Sequence, residues 1–89
     1  METTKAKPAT EVRPLYTIAT EIVRTWKPKI YFGAVPYVTA MLRLNRINEM
    51  YGADTARSVV LYFLANAQTW RGEDAKRIKL ELNQMLKAK

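Results

Sequence analysis

The chain has 89 residues, with 15 lysines and arginines against eight aspartates and glutamates, and it contains no histidine and no cysteine. Without imidazole or thiol groups it lacks the side chains best suited to transfer protons near neutral pH, attack carbonyl groups or hold zinc. These absences favour a binding protein over an enzyme, and they predict no metal and no cofactor. The formal net charge of +7 predicts a positive surface.

A chain of this length is expected to form one domain with a single core. Residues 1–12 have no periodic apolar face and are predicted to be a flexible N-terminal arm, which leaves a helical domain over residues 13–89. The arm lacks the apolar core of a secretory signal. The longest apolar run, residues 59–65, is too short to span a bilayer. We therefore expect a cytoplasmic protein with no membrane partner.

The sequence predicts an all-α fold, a small bundle of about four helices with the third helix at its centre. The first helix starts at Pro14 and ends near Trp26, because Pro28 disfavours helical geometry in the residue before it. The apolar connector, residues 29–35, is expected to pack against the core. The second helix is predicted from Pro36 to Tyr51, closed by a glycine that follows it directly.

The third helix is predicted over residues 55–68, with Asp54 as its N-cap. It is apolar nearly all round, which is typical of a helix buried in its domain. The fourth helix begins with Glu73 and Asp74, whose negative charge suits a helix N-terminus, and ends near Leu86.

The second and third predicted helices, joined by a short turn with a glycine, raise the hypothesis of a DNA-binding helix-turn-helix. A recognition helix must present polar and basic side chains to base edges. The third helix offers only Arg57 for that purpose. An ordinary helical hairpin of the core is therefore the favoured interpretation.

The last helix and the turn before it have a basic outer side, and they predict phosphate contacts with nucleic acid or with a nucleoprotein complex. The residues proposed for these contacts are Arg71, Lys76, Arg77 and Lys87. The other interpretation is a solvated surface, because Glu73 and Glu81 lie four residues from Arg77 in the two directions and suit local ion pairs.

Aromatic residues next to cations form another candidate site, since exposed rings can stack on unpaired bases or on partner surfaces. The rings are Trp26, Tyr31, Phe32 and Trp70. A packing role is the favoured interpretation for the two tryptophans.

A third candidate surface is apolar. Val38 and Leu42 lie away from the main apolar stripe of the second predicted helix, and Leu80 lies on the polar side of the fourth. If exposed, they form a patch for protein binding or for self-association into a homo-oligomer. The alternative is that the second helix is sandwiched between neighbours, and both interpretations stay open.

The chain contains a set of short segments in a fixed order. They are residues 31–37 (YFGAVPY), 51–52 (YG), 62–67 (YFLANA) and 69–72 (TWRG), followed by Lys79 and by residues 81–82 (EL). Over about residues 26–87 this combination resembles a group of short proteins encoded by bacteriophages and mobile genetic elements. The resemblance implies a phage accessory protein in the cytoplasm of a bacterial host. It carries over no catalytic or binding residue.

The resulting hypothesis is a non-catalytic accessory protein that binds nucleic acid or a nucleoprotein complex through a basic surface. The alternatives are a protein-binding inhibitor of a host protein, including a defence protein, and a virion assembly protein.

Overall fold

The computed structural model describes residues 12–26 and 29–87. The fold is mostly helical, as predicted. The predicted arm lies outside the described residues, apart from Val12, which is exposed. Within the described ranges, none of the helices combines the length and the apolar character that crossing a bilayer requires. The elements in chain order are α1 (Leu15–Thr25), a 3₁₀ turn (Phe32–Ala34), α2 (Val35–Met41), β1 (Met50–Tyr51), β2 (Asp54–Thr55), α3 (Ala56–Ala65) and α4 (Glu73–Lys87).

Helix α1 begins and ends close to the predicted positions. Its buried residues, Leu15, Ile18, Ala19 and Ile22, recur with helical spacing and face the core. Pro14 precedes the first turn, where a proline lacks only an N–H that would have no partner within the helix. Pro14 also has no side-chain oxygen to cap the helix, so the first N–H groups of α1 need acceptors from elsewhere in the fold.

Those acceptors come from the connection that follows α2. The N–H of Leu15 donates to the carbonyl of Asn45 at 2.9 Å, and the N–H of Tyr16 donates to the carbonyl of Leu44 at 2.9 Å. The side chain of Leu44 is buried in the core at the same place. The connection therefore completes the N-terminus of α1.

This role explains why the predicted second helix is wrong in its extent. Helix α2 ends at Met41, ten residues before the predicted Tyr51. A continued helix would direct the carbonyls of Leu44 and Asn45 into its own hydrogen-bond ladder, away from α1. Residues 42–55 instead form an irregular connection and a small hairpin, so α2 and α3 do not make a helix-turn-helix.

The described residues also contain a small hairpin that the all-α prediction did not include. Strands β1 and β2 are antiparallel, with Met50 opposite Thr55 and Tyr51 opposite Asp54. Gly52 has φ +61° and is the first residue of the two-residue loop, where a type II′ turn requires a positive φ. The glycine predicted to end a helix closes a hairpin.

Helix α3 is capped by Thr55, not by the predicted Asp54. The Thr55 Oγ1 accepts a hydrogen bond from the N–H of Ser58 at 3.0 Å, whereas Asp54 is exposed within β2. The prediction placed the cap one residue early because it allowed no strand before the helix. The pairing of Tyr51 with Asp54 commits Asp54 to the hairpin.

The predicted central position of α3 stays a prediction. The helix packs against α2 on one side and α4 on the other. Val60 and Phe63 are fully buried, but Leu61 and Tyr62 are each 54% exposed. Helix α1 packs against α2 and α4.

An aromatic cluster joins α1, α3 and the turn before α4. The rings of Trp26 and Trp70 stack with centroids 5.1 Å apart, and Phe63 meets both rings edge-on at 6.3 and 6.4 Å. All three side chains are buried. The packing role predicted for the two tryptophans is confirmed.

The prediction that the connector before α2 packs against the core is wrong for its two aromatic residues. Ala34 is buried and Ile30 packs partly against the core, but Tyr31 is 43% exposed and Phe32 is 79% exposed. The core is already filled at this end by Trp26, whose ring lies between α3 and the following turn.

Replacing Thr55 with alanine should lower the free energy of unfolding by about 1 kcal/mol, because the first turn of α3 loses its side-chain acceptor. Asp54→Ala is the matched control and should have little effect. Urea unfolding followed by the fluorescence of the two buried tryptophans measures both changes. A larger loss in Asp54→Ala would contradict the assignment of the cap.

Candidate functional site

A network of ion pairs connects α1 and α4. Arg13 donates to both carboxylate oxygens of Glu81, at 2.9 and 2.7 Å, and lies 3.0 Å from Glu21. Arg77 donates to Glu21 and to Asp74, the latter at 2.9 Å. Two of the chain's cations are thus committed to holding helices together.

The network favours the charged forms of Glu21, Arg13 and Arg77. The hydrogen bonds from Arg77 hold the pKa of Glu21 below its ordinary value. Burial alone would raise this pKa, and the hydrogen bond from Arg13 lowers it further. Hydrogen bonds to Glu81 raise the pKa of Arg13, and those to Glu21 raise the pKa of Arg77. Glu21, with a side chain only 17% exposed, is the shared partner at the centre.

A second group of cations gathers at the other side of α4, where the α3–α4 turn meets the helix. An open pocket of about 350 Å³ is lined by Arg71, Lys76 and Lys79, with Gln68 and Trp70 beside them. No aspartate or glutamate of the described chain lines it. We call this the basic pocket.

The geometry of the basic pocket is fixed by a contact with the aromatic core. The ammonium of Lys79 donates to the backbone carbonyl of Trp70 at 2.7 Å. Partial burial, and then the positive charge of Arg71, lower the pKa of Lys79. A bound anion would offset this repulsion between like charges.

The cations of the basic pocket are not compensated in the way that Arg13 and Arg77 are. Among residues 12–26 and 29–87, no carboxylate forms an ion pair with Arg71 or Lys76. Asp74 lies nearby at the start of α4 but is held by Arg77. The pocket therefore presents positive charge to solvent.

The four residues predicted to contact phosphate are divided by the fold. Arg71 and Lys76 share the basic pocket, while Arg77 is directed to Glu21 and Asp74. Lys87 lies eleven residues after Lys76, about 16 Å along the helix. The fold brings together two of the four.

The prediction missed Lys79. Its position at the edge of the apolar stripe of α4 concealed it, since Ile78 and Leu82 beside it are buried. The available signal was its spacing: a residue three positions after Lys76 lies on the neighbouring surface of a helix.

The structure corrects one residue of the predicted apolar patch. Val38 is buried, at 3% exposure, because α2 lies between α1 and α3. Leu42 is 42% exposed and Leu80 is 60% exposed, as their predicted role requires. Two of the three predicted residues are therefore exposed, Leu42 after the end of α2 and Leu80 on α4.

A second, uncharged pocket borders the basic one. It has a volume of about 300 Å³ and is lined by Tyr31, Ala65, Asn66, Gln68 and Thr69. We call it the amide pocket. Gln68 lines both pockets, which therefore adjoin at that residue, and the amide pocket includes Tyr31 of the exposed aromatic pair Tyr31 and Phe32.

A pocket larger than the basic pocket lies elsewhere in the described chain, near the N-terminus of α1. It has a volume of about 390 Å³, and its cations are Arg13 and Arg46. Arg13 is already bound by Glu21 and Glu81, which leaves less uncompensated charge here than in the basic pocket. For an anionic ligand we therefore favour the basic pocket.

Comparisons of the chain with protein-family models, with curated proteins and with solved structures found no match.

Replacing Glu21 with glutamine should lower the free energy of unfolding by about 1 kcal/mol at neutral pH, since both arginines lose an anionic partner. The lowered pKa of Glu21 means that its contribution is complete above the ordinary value of 4.5 and is lost as the pH falls through the lower, folded-state value. Unfolding curves of the two proteins should converge in acid.

Asp74→Asn is the matched control for charge. Its ion pair with Arg77 is exposed and local, so at neutral pH it should cost less stability than Glu21→Gln. A Glu21→Gln effect that stayed constant down to acidic pH would contradict the role given to this carboxylate.

Proposed function

We propose that this chain is a non-catalytic protein that binds nucleic acid or a nucleoprotein complex through the basic pocket. The observation that supports this most directly is the convergence of Arg71, Lys76 and Lys79 on one open pocket with no acidic lining residue in the described chain. Cations placed in this way suit phosphate, which neutralises several of them at once.

The three cations differ in what they contribute to such a contact. The planar guanidinium of Arg71 can donate two parallel hydrogen bonds to a phosphate, whereas the ammonium of Lys76 acts as a mobile point charge. Lys79 is anchored to the carbonyl of Trp70 and contributes a fixed charge. This combination supports affinity for a phosphate backbone without selecting a sequence.

Arg77 and Lys87 have secondary roles in this proposal. The hydrogen bonds of Arg77 to Glu21 and Asp74 use donors on both of its terminal nitrogens, so it adds to the positive field more than to direct contacts. Lys87 lies about three turns beyond the pocket, on the same side of α4 as Lys76, where a longer ligand would reach it.

The setting of the proposal comes from the resemblance noted in the sequence. The segments over residues 31–37, 62–67 and 69–72 support an accessory protein of a phage or mobile element that acts in the bacterial cytoplasm. All three segments also contribute to the surface described above, since they supply Tyr31, Asn66 and Arg71 to its two pockets.

Replacing Arg71 and Lys76 with alanine, singly and together, should weaken binding to labelled DNA and RNA. Each substitution should also reduce the slope of log affinity against log salt concentration by about one, because one phosphate contact is lost. Fluorescence anisotropy at several salt concentrations measures both quantities.

Arg43→Ala is the matched control. It removes the same charge from an exposed residue. Arg43 lies beside Leu44, which contacts the start of α1. The basic pocket lies near the other end of α1, where Trp26 stacks on Trp70. Equal weakening in Arg43→Ala would indicate that net charge alone drives binding. Absence of binding at low salt would remove the proposal.

A protein partner is the second candidate function, and the exposure of Leu42 and Leu80 favours it. An apolar side chain that is 60% exposed in the middle of α4 can anchor a contact while the surrounding lysines steer the encounter. Such a partner would be a host protein that the chain inhibits, a virion component, or a second copy of the chain.

Changing Leu42 and Leu80 to glutamate should abolish retention of such a partner on the immobilised chain, because the contact would bury unpaired charge. Both side chains are exposed, so the fold should persist. Leu61→Glu, at another exposed leucine, is the control and should retain the partner. Equal loss in all three variants would argue against a specific patch.

A further inference from the structure

The aromatic pair Tyr31 and Phe32 is the most unusual part of the surface. Phe32, at 79% exposure, is the most exposed of the large apolar side chains in the described residues. Its ring centroid lies 4.9 Å from that of Tyr31, with the planes tilted by 56°. Single exposed apolar residues are common, but two adjoining rings on a turn form a prepared contact surface. We call this pair the aromatic platform.

The close approach of the platform to the amide pocket depends on Gly33. A side-chain carbon placed on Gly33 would lie 2.5 Å from Cε2 of Tyr31 and 2.9 Å from Oδ1 of Asn66. Glycine is therefore required for the Tyr31 ring to lie where it does, over the backbone and beside Asn66. Asn66 is itself fixed, since its Nδ2 donates to the carbonyl of Tyr62 at 2.8 Å.

The platform and the basic pocket are the two ends of one surface. Tyr31 lines the amide pocket, and Gln68 lines both the amide pocket and the basic pocket. A ligand that spans both pockets would contact Tyr31 and the side chains of Asn66, Gln68 and Thr69 in the amide pocket, and the cations in the basic pocket. The two pockets together thus offer a stacking partner, neutral hydrogen-bonding groups and positive charge.

We infer that this surface binds a single-stranded nucleic acid, with unpaired bases stacked on Phe32 and Tyr31 and the phosphate backbone held by Arg71, Lys76 and Lys79. The inference rests on the proposed function and specifies its ligand. Rings that stack on bases, combined with a positive groove for the backbone, are the two components of sequence-tolerant single-strand binding. Charge complementarity favours an anionic ligand, since no carboxylate of the described residues lines either pocket.

A duplex fits this surface less well. Its bases are already stacked on one another and offer no free face to Phe32. Recognition through the major groove would instead need a helix that presents polar side chains, and Arg57 of α3 is directed to the carbonyl of Leu86. The outer side of α4, with Lys76 and Lys87, is the surface that a duplex would use.

The test compares a labelled single strand, as DNA and as RNA, with a duplex of the same sequence, using the full chain. We expect the single strand to bind at least about tenfold more tightly, since base stacking contributes only to the single strand. Phe32→Leu should reduce single-strand affinity by about tenfold and leave duplex affinity unchanged, while Phe32→Trp should retain or increase it. Both variants keep an apolar side chain outside the core, so folding is unaffected.

Met50→Ala is the matched control. Met50 is 60% exposed and lies at the opposite end of α3 from Asn66, so its loss should change neither affinity. Gly33→Ala is a positional variant, and it should weaken single-strand binding because it displaces the Tyr31 ring without removing it.

Four outcomes decide the matter. Single-strand preference that is lost in Phe32→Leu and kept in Phe32→Trp supports the inference. Equal binding of both ligands, weakened by Arg71→Ala but not by Phe32→Leu, overturns the inference and leaves the proposed function intact. Tighter duplex binding that depends on Lys87 also overturns it, in favour of the outer side of α4. Absence of any binding at low salt removes both proposals together.

Discussion

The stack of Trp26 on Trp70 is the contact on which the rest of this small fold depends. It joins the end of α1 to the turn before α4, and Phe63 of α3 closes the cluster from the side. Burial of rings of this size supplies much of the apolar driving force available to a short chain, and each aromatic pair adds roughly 0.5–1.5 kcal/mol beyond area burial. The cluster reaches the surface through the Trp70 carbonyl, which holds the ammonium of Lys79. The basic pocket is therefore built directly on the core.

The cations of the chain divide into two groups with different physical roles. Arg13 and Arg77 bind Glu21, Glu81 and Asp74, and so hold α1 against α4. Arg71 and Lys76 have no carboxylate partner among the described residues, although Glu73 and Asp74, at the start of α4, lie between them in the sequence. A chain with a net charge of +7 loses stability through self-repulsion. Clustering uncompensated charge in one pocket increases that loss, which favours a ligand-binding role over a structural one.

The sequence predicted the helices whose ends are set by local chemistry. Pro14 and Pro28 limit α1, and the acidic pair at residues 73–74 begins α4, so both helices were found to within about a residue. The extent of α2 depends instead on distant atoms, the N–H groups of Leu15 and Tyr16, which draw the carbonyls of residues 44–45 out of a helix. Periodicity along one segment contains no information about that demand. Because the sequence predicts that α2 continues to Tyr51, it predicts no hairpin, and it places the cap of α3 at Asp54 instead of Thr55.

The candidate site was predictable only in part, because contacts with distant parts of the chain also decide which cations have partners. Arg71 and Lys76 were identified from the charge of the last helix and its turn, but a charge pattern does not show which cations face carboxylates on another helix. Arg77 was therefore included although α1 supplies its partner, Glu21. Lys79 was omitted because it borders the apolar stripe, where its stem packs and its ammonium reaches the Trp70 carbonyl. Arg77 contacts a residue of another helix and Lys79 contacts the turn before its own helix, and a charge pattern indicates neither contact.

The exposure of Phe32 was the least expected feature of the fold. An apolar connector in a small protein is usually drawn into the core, and the core here is complete without it, because Trp26 fills the space between α3 and the following turn. Sites where local sequence rules fail are often functional. Since the platform contributes little to the core, its rings can be changed without unfolding the chain, and binding can be separated from stability by experiment. The opposite holds for Trp70, which belongs to the core and to the basic pocket together, so any substitution there changes folding and ligand contact at once.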